Sequence, residues 1–579
     1  MESLLICTSI ENTFEKNNNI YFLGKWCEND NSEKFFRGIE VQTIKYHWDD
    51  KNKFQKDFSY LNDLYERYLK TLSDYLSEIH GEKNGVEYWR IIIGPWLRHF
   101  CDVVFDRYQQ VELAIEKFNL RTNLLKYDKN EWLHNDFETF YKDIREDNWN
   151  QILISEIWKF LNGKYKIVGS LKKKNIKSGQ NKILILKAKS IINKASFLLS
   201  KDFKYIFITS HIKNSDYFHL NYKLGQIPAR IYQGKTKFSK KINFKIRNEI
   251  MGCFNAKSNF EKFLANSIGD WIPRIHLEDY MINKTYVLKT YPKNPKIIYT
   301  ANAYLHDELF KIFAGEKCTK NSSKLLIAQH GGFFGSSKVI QEEDHLIKIS
   351  DTFISWGWSK SNVKNIKPME SFKLCEQIKK PNLNGDILLA TASYPRYFYS
   401  YYSSPIAGQN IRYLEGIESF INNLDREVRS LIKIRIQKDE DYWQFSKRLE
   451  EGNSNFQIED CKIPFTKRLK KSRLFISTAN STLFLETLSN NFPTVFFMDK
   501  ELFNLRDEAI DYFDSLNKVG ILFYDFKSAA KSINNQYLNI SDWWNDKNLQ
   551  DVRREFCDRF AFVSKKYIYN WSQYLKKYN

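Results

Sequence analysis

Eleven short apolar runs recur along the chain, and they constrain its fold more than any other feature. They are SLLICTS from Ser3, NIYFLG from Asn19, KILIL from Lys182, YIFITS from Tyr205, KIIYTA from Lys296, KLLIAQ from Lys324, TFISWG from Thr352, DILLATA from Asp386, LIKIRIQ from Leu431, RLFIS from Arg473 and TVFFM from Thr494. Apolar runs of this length read as strands buried in a parallel sheet. Helical stretches fill many of the gaps between them, so an α/β architecture of parallel sheets covered by helices is expected.

The chain has 579 residues, 42% apolar and 16% aromatic. That exceeds what one hydrophobic core usually organises, and two or three domains are expected. DFSYLNDLYERYLKTLSDYLSEIHG, from Asp57 to Gly81, repeats Leu and Tyr at three- and four-residue spacing and reads as one long amphipathic helix. A second helical region starts at Val86, with Gly94-Pro95 expected to interrupt it. The polar segment Cys375–Asp386, holding Pro381 and Gly385, marks the main boundary. The expected domains are residues 1–375 with helical insertions, residues 376–545, and a C-terminal helix, 546–579, packing back on the first domain.

Several function classes are excluded at this level. No run of about 18 uncharged apolar residues is present, and the N-terminal MESLLICTSIENTFEKNN lacks the basic and apolar regions of a signal peptide. A cytoplasmic protein is expected. The eight cysteines are scattered singly, without a C-x-x-C pair, so reduced thiols, no metal site and no cofactor are expected.

The formal net charge is +20. Much of the excess is local: Leu171–Arg247 holds 19 Lys/Arg against Asp202 and Asp216. A chain rich in Lys, Asn and Ile carries lysine wherever polarity is needed. The functional alternative is docking on an acidic lipid surface or on a phosphate-bearing acceptor. No zinc finger, RNP signature or helix-turn-helix accompanies the charge, so nucleic-acid binding is not expected.

Two motifs carry candidate chemistry. SRLFISTANSTLFLETLSNNFPTVFFMDKE reads as a strand, a hydroxyl-rich loop, a helix over Ser481–Ser489 and a second strand. Ser477, Thr478, Asn480, Ser481 and Thr482 place four hydroxyls and an amide at a helix N-terminus, where main-chain N–H groups and the helix dipole favour an anion such as phosphate. Ordinary helix capping would need only one of them. Glu486 lies about 5.4 Å along the same helical face, suited to ribose hydroxyls. Arg435 closes LIKIRIQ, where a guanidinium could fork onto phosphate or form a surface salt bridge. The acidic Asp439–Asp441 reads as a solvated loop.

The other motif is LLIAQHGGFFGSS, Leu325 to Ser337. His330 follows a strand, and Gly331, Gly332 and Gly335 would let a sugar or phosphate approach the main chain. An imidazole titrating near neutrality can take a proton from an attacking hydroxyl or hold donor phosphate. Glu342, Glu343 and His345 in QEEDH are the nearby alternatives for the base. Lys25 and Trp26, after NIYFLG, could offer a cation and an aromatic platform to an acceptor.

FLGKWC, YWRIIIGPWL, DRY, QHGGFFG, FISWGW, ANSTLFLETLSNNFPTVFF, LRDEAIDYFDSLNKVGILFYD and DWW together resemble the LIC12162-type transferases of bacterial O-antigen and surface-polysaccharide gene cassettes, nearly end to end. The resemblance implies a glycosyltransferase of the GT-B type, with two Rossmann-like domains facing a cleft. The first domain would bind the acceptor and the second the nucleotide donor, with no resident metal. It also implies a nucleotide-sugar donor, with a lean to CMP-sugars, and a lipid-linked or oligosaccharide acceptor at the inner membrane face. The C-terminal strand-loop-helix resembles the nucleotide site of CMP-sugar and CDP-polyol transferases as well. In the latter a His-Gly loop supplies the base, a role that would fall to His330. The His-Pro dipeptide of many sialic-acid and Kdo transferases is absent, which leaves UDP-, GDP- and dTDP-sugars open. Two rival readings are a CDP-polyol phosphotransferase and a non-catalytic protein that binds nucleotide or glycan.

Overall fold

Ten of the eleven apolar runs form strands; KILIL lies outside the described residues. The computed structural model describes residues 3–17, 19–173, 203–228, 234–239, 241–375, 378, 380–437, 441–452 and 457–578. By contacts the chain divides into two units. The first holds residues 1–209, 229–325 and 396–401, and the second 210–228, 326–395 and 402–579. Residues 326–375 and 546–579 thus group with the second unit, whereas the sequence had suggested the first domain for the former and a packing partner there for the latter.

In the first unit, β1 (Ser3–Ile6), β2 (Ile20–Phe22), β3 (Val41–Thr43), β4 (Leu120–Lys126) and β5 (Lys164–Ser170) form a parallel sheet in the order β3-β2-β1-β4-β5. A parallel pair, β6 (Tyr205–Ile208) and β7 (Ile297–Thr300), belongs to the same unit. The long amphipathic helix runs over Lys51–Ile79 and starts where Asp50 accepts hydrogen bonds from the Asn52 and Lys53 main chain. Its buried stripe is Leu61, Leu64, Tyr65, Tyr68, Leu69, Leu72 and Leu76, which packs on helix Val86–Lys117.

That second helix is continuous through Pro95, contrary to the interruption expected at Gly94-Pro95. A mid-helix proline costs about 3 kcal/mol. Here Ile91, Ile92, Ile93, Trp96, Leu97 and Phe100 around it are all buried, and each such side chain contributes about 1.5–3 kcal/mol on burial. Packing outweighs the local preference.

In the second unit, β8 (Lys324–Ala328) is followed by β9 (Thr352–Ser355) and β10 (Ile366–Pro368), paired in parallel through residues 326–328. The contact division falls after Leu325, inside β8. Strands β11 (Asp386–Ala390), β12 (Ile432–Ile436), β13 (Gln457–Asp460), β14 (Ser472–Ser477), β15 (Thr494–Phe497) and β16 (Leu522–Phe523) form a six-stranded parallel sheet ordered β13-β12-β11-β14-β15-β16. The chain leaves β11 towards β12 and β13, then returns to β14 on the other side. Open parallel sheets bind ligands outside the carboxyl ends of strands at such a reversal. Among the described residues no helix is long and apolar enough to cross a membrane.

Candidate active site

The reversal of the six-stranded sheet lies between β11 and β14, whose last residues Ala390 and Ser477 pair directly. The loop after β14 leads into helix Thr482–Ser489. Its hydroxyls face protein more than the sequence suggests. Ser477 Oγ donates to Ala479 O (3.1 Å), and Thr478 Oγ donates to Ala390 O (3.1 Å) and shares a 2.5 Å hydrogen bond with Tyr413 Oη. Asn480 Nδ2 donates to Ser336 Oγ (3.0 Å). These three side chains fix the loop. Ser481 stands at the N-cap without a capping hydrogen bond from its side chain, so the first-turn N–H groups of this helix lack the usual internal acceptor.

The histidine loop packs onto that helix start. Gly332 N–H donates to Thr482 Oγ1 (3.1 Å), and a Cβ at Gly332 would lie 2.4 Å from Ser481 O and 2.7 Å from Thr482 N. The glycine therefore serves a main-chain contact inside the protein, where the sequence had suggested contact with a ligand. The two motifs, expected in separate domains, are joined in one unit.

Gln329 sets the loop's direction. Its Oε1 accepts from Trp356 N–H (3.0 Å) and Trp358 Nε1–H (2.7 Å), and its Nε2 donates to Gly331 O (2.8 Å). Gly335 has φ +76°, and Trp358 fills the space a side chain would need. Its N–H donates to Glu343 Oε2 (2.7 Å), while Glu343 Oε1 meets Arg506 Nη2 (2.9 Å) and Lys360 Nζ (2.7 Å). Glu343, 1% exposed, holds the loop and is committed to it, which argues against a role as base.

His330 keeps 18% of its side chain exposed. Its Nε2 lies 3.7 Å from Glu342 Oε2, and its ring meets Phe334 edge-on with centroids 5.0 Å apart. Glu342 Oε2 also accepts from Tyr402 Oη (3.0 Å). Burial, with a smaller push from the Lys373 charge, lowers the His330 pKa below its ordinary value against the pull of Glu342. A lowered pKa favours the neutral imidazole, the form a base needs before it acts. His345 follows Glu342 by three residues on helix Gln341–Ile349 and is half-buried.

Two residues of this site escaped the sequence reading. His211 has φ +54°. His211 is exposed at the surface, and the protein beside it, with the His330 and Lys373 charges adding to it, lowers its pKa to about 4. Lys373 Nζ lies 3.5 Å from Glu486 Oε1, which links the histidines' surroundings to the helix of the phosphate motif. A signal for His211 was present: like His330 it follows an apolar strand, β6, within three residues. Lys373 sits in a featureless stretch and carried none.

The remaining candidates lie elsewhere. Arg435 Nη2 donates to Cys461 O (3.3 Å) and Ile463 O (2.7 Å), holding the segment after β13. Asp441 caps helix Phe445–Gly452, accepting from Phe445 N–H (2.7 Å) and Ser446 N–H (2.9 Å); Asp439 and Glu440 lie outside the described residues. In the first unit, Trp26 is 2% exposed, and its Nε1 donates to Cys7 O (3.0 Å). It has no open face for a sugar and serves the core; the strand-end pattern did not reveal that the indole turns inward. Lys25, adjacent and exposed, pairs with Glu28 at 2.8 Å.

A shallow, open pocket lies outside the ends of β11 and β12. Tyr394, Tyr413, Tyr442 and Trp443 provide aromatic walls, with Thr391 and Asn410 as polar lining. Trp443 Nε1 donates to Tyr394 O (3.1 Å), fixing the indole.

A family model matches residues 3–575, and the chain belongs to the LIC12162 family of transferases. It is therefore an enzyme of group transfer. No curated protein sequence matches it. Among solved structures it is similar to S. aureus MnaA bound to UDP, at 9% identity over 65% of this chain and 95% of that one, with a TM-score of 0.36. It is similar also to a Listeria monocytogenes protein described as a UDP-N-acetylglucosamine 2-epimerase, at 10% identity over 62% and 93%, TM-score 0.36. A third is WaaG, a glycosyltransferase of lipopolysaccharide biosynthesis, at 8% identity over 64% and 99%, TM-score 0.31. Likeness at these scores bears no weight on the activity of this chain.

Proposed function

We propose that this transferase moves a glycosyl unit from a nucleotide-activated sugar to a surface-polysaccharide acceptor, lipid-linked or oligosaccharide, through a GT-B-like arrangement. The observation that carries the reading is the union of the two motifs: Gly332 N–H on Thr482 Oγ1 sets the His330 loop against an uncapped helix start at the reversal of the six-stranded sheet. Such a crevice suits a nucleotide, whose phosphate meets the helix N-terminus. Donor binding is assigned to the C-terminal sheet within residues 376–545, with Ser481 and Thr482 near phosphate and Glu486 near ribose. CMP is the first donor nucleotide to test.

In this reading His330 accepts the proton of the acceptor hydroxyl as it attacks the sugar carbon, and the nucleotide leaves with the electron pair of the broken bond. The imidazolium that forms faces the Glu342 carboxylate, which Tyr402 orients. A positioned base of this kind is worth about 10²–10⁴-fold in rate. Lys373 supplies a cation for the leaving phosphate, where electrostatic stabilisation is usually the largest contribution.

The test is a thermal-shift screen of the purified chain against CMP, CDP, UDP, GDP and dTDP, repeated with Ser481→Ala and Glu486→Ala. A ligand binding only the folded state at a hundredfold excess over its Kd stabilises by about 2.7 kcal/mol. Stabilisation by one nucleotide, lost in both variants, is the expected result. No response to any nucleotide defeats the proposal. With the matching donor, a product that retains donor phosphorus would instead identify a polyol-phosphate transferase.

A further inference from the structure

Helix Asn214–Lys223 turns Tyr217, Leu220 and Asn221 inward and packs on helix Tyr567–Lys576, which buries Trp571, Ser572 and Leu575. Both helices belong to the second unit. Their outward residues are unusual for a solvated surface. Phe218 and Tyr222, one turn apart, are 56% and 84% exposed, Ile227 just beyond is 61% exposed, and Tyr569 is 53% exposed. Lys223 Nζ stands 6.0 Å from the Tyr569 ring centroid, so the two outward faces are contiguous.

The exposed charge on these two segments is nearly all positive, and the Glu370 carboxylate that accepts from Asn570 is buried. Segments 211–228 and 563–578 contain Lys213, Lys223, Lys565, Lys566, Lys576 and Lys577 against Asp216 alone. Asp216 is half-buried and hydrogen-bonds the Tyr567 hydroxyl. Single exposed apolar residues are ordinary, but three aromatic rings and an isoleucine among lysines form a patch that calls for a partner.

We propose that this face docks on an anionic lipid surface. Tyrosine and phenylalanine sit well at the boundary between headgroups and acyl chains, where the ring is partly dry and a hydroxyl stays wet. Lysines beside them gain from the negative potential of acidic headgroups. The charge argues against a second copy as occupant, because two such faces would set twelve like charges against each other (six per face). The basic stretch 171–247 contains the first helix; its residues 174–202, 229–233 and 240 lie outside the described residues and are not needed for the argument.

The experiment is co-sedimentation of the full chain with vesicles of phosphatidylcholine alone or with about 30 mol% phosphatidylglycerol. Binding is expected only to the anionic vesicles and is expected to weaken as salt screens the lysines. Phe218→Ser/Tyr222→Ser/Tyr569→Ser should weaken it about tenfold, and Lys565→Gln/Lys566→Gln several-fold, with unchanged thermal midpoints. As a control, Met281→Ser/Leu288→Ser alters an exposed apolar pair on a helix of the first unit, 45% and 46% exposed, and should leave binding as it was. Equal binding to both vesicle types overturns the proposal. So does binding unaffected by the aromatic changes, or reduced as much by the control pair. Loss of self-association in the aromatic variant, without vesicle binding by the parent, would assign the face to a second copy and overturn it too. Vesicle binding is read without donor or turnover, so its failure is separate from failure of the nucleotide screen.

Discussion

The two units each contain a parallel sheet whose strand order reverses, and the two reversals are finished differently. In the first, between β1 and β4, the polar groups outside the strand ends are satisfied by protein. Thr8 Oγ donates to Gln151 Oε1 (2.7 Å), and Ser9 Oγ donates to Asp147 Oδ2 (2.9 Å). Arg396 Nη1 donates to Ser9 Oγ and Trp26 O, both 2.9 Å, while its Nη2 pairs with Asp147. In the second, between β11 and β14, an uncapped helix start, a part-exposed imidazole and an open aromatic-walled pocket remain. Strand order creates the crevice; what stands open at the strand ends makes it a site.

The largest effect should come from His330→Ala, which removes the base. Transfer is expected to fall about 10²–10⁴-fold while the thermal midpoint stays close to the parent's. Equal activity in the variant would make the open crevice a binding site without this base.

Asp147→Ala should show the opposite pattern. It leaves the mostly buried Arg396 without its carboxylate, at a cost of about 3 kcal/mol in stability, read by denaturant unfolding. Donor binding by the folded fraction should persist. If donor binding disappears while stability holds, the first reversal is a site too.

Gly332→Ala tests the junction of the two motifs. The added Cβ would meet Ser481 O at 2.4 Å, and forcing backbone apart in a packed region costs about 1–3 kcal/mol. Nucleotide stabilisation and transfer should both decline. An unchanged nucleotide response would separate the helix start from the histidine loop.

The smallest effects concern pH. The folded-state pKa of His330 lies below its ordinary value, so the acid limb of kcat/KM should fall below about pH 6.5. Lys373→Met should move that limb upward, because a repelling charge is removed. For stability the sign follows from the same depression in His211. The contribution is fully present above the unfolded value near 6.5 and is lost as pH falls towards about 4. His211→Gln should flatten the dependence of the thermal midpoint over that window.

The apolar strands were legible because near-continuous Ile, Leu and Val at that length admit few other structures. The strands that escaped are mixed in composition. β4, LRTNLLK, carries Thr122 and Asn123 into the interior, where Thr122 Oγ donates to Leu5 O (2.8 Å) and Asn123 Nδ2 to Thr13 O (3.1 Å). Their burial depends on partners distant in sequence. β5, KYKIVGS, is an edge strand with largely exposed side chains, and its polarity reads as loop.

In the site, His330 and the hydroxyl-rich helix start were legible as motifs, since imidazole, glycine and clustered hydroxyls have few reasons to stand together at strand ends. Their purposes were less so. Gly332 looks from sequence like room for a ligand, and only its position shows that Ser481 occupies that room. Glu342 and Glu343 are neighbours of one chemistry; the helix sends one towards His330 and the other into the loop's hydrogen bonds with Gly335 and Arg506.

The sequence by itself determined the α/β class, the positions of most buried strands, the long amphipathic helix and the two motifs, because each follows from local periodicity and residue chemistry. Only the tertiary structure decided that the motifs meet, that His211 and Lys373 join them, that Trp26 turns inward and that one reversal is closed while the other stays open. Those outcomes depend on which polar groups reach each other across hundreds of residues. A residue's type sets its hydrogen-bonding capacity, and the fold determines whether protein already fills it.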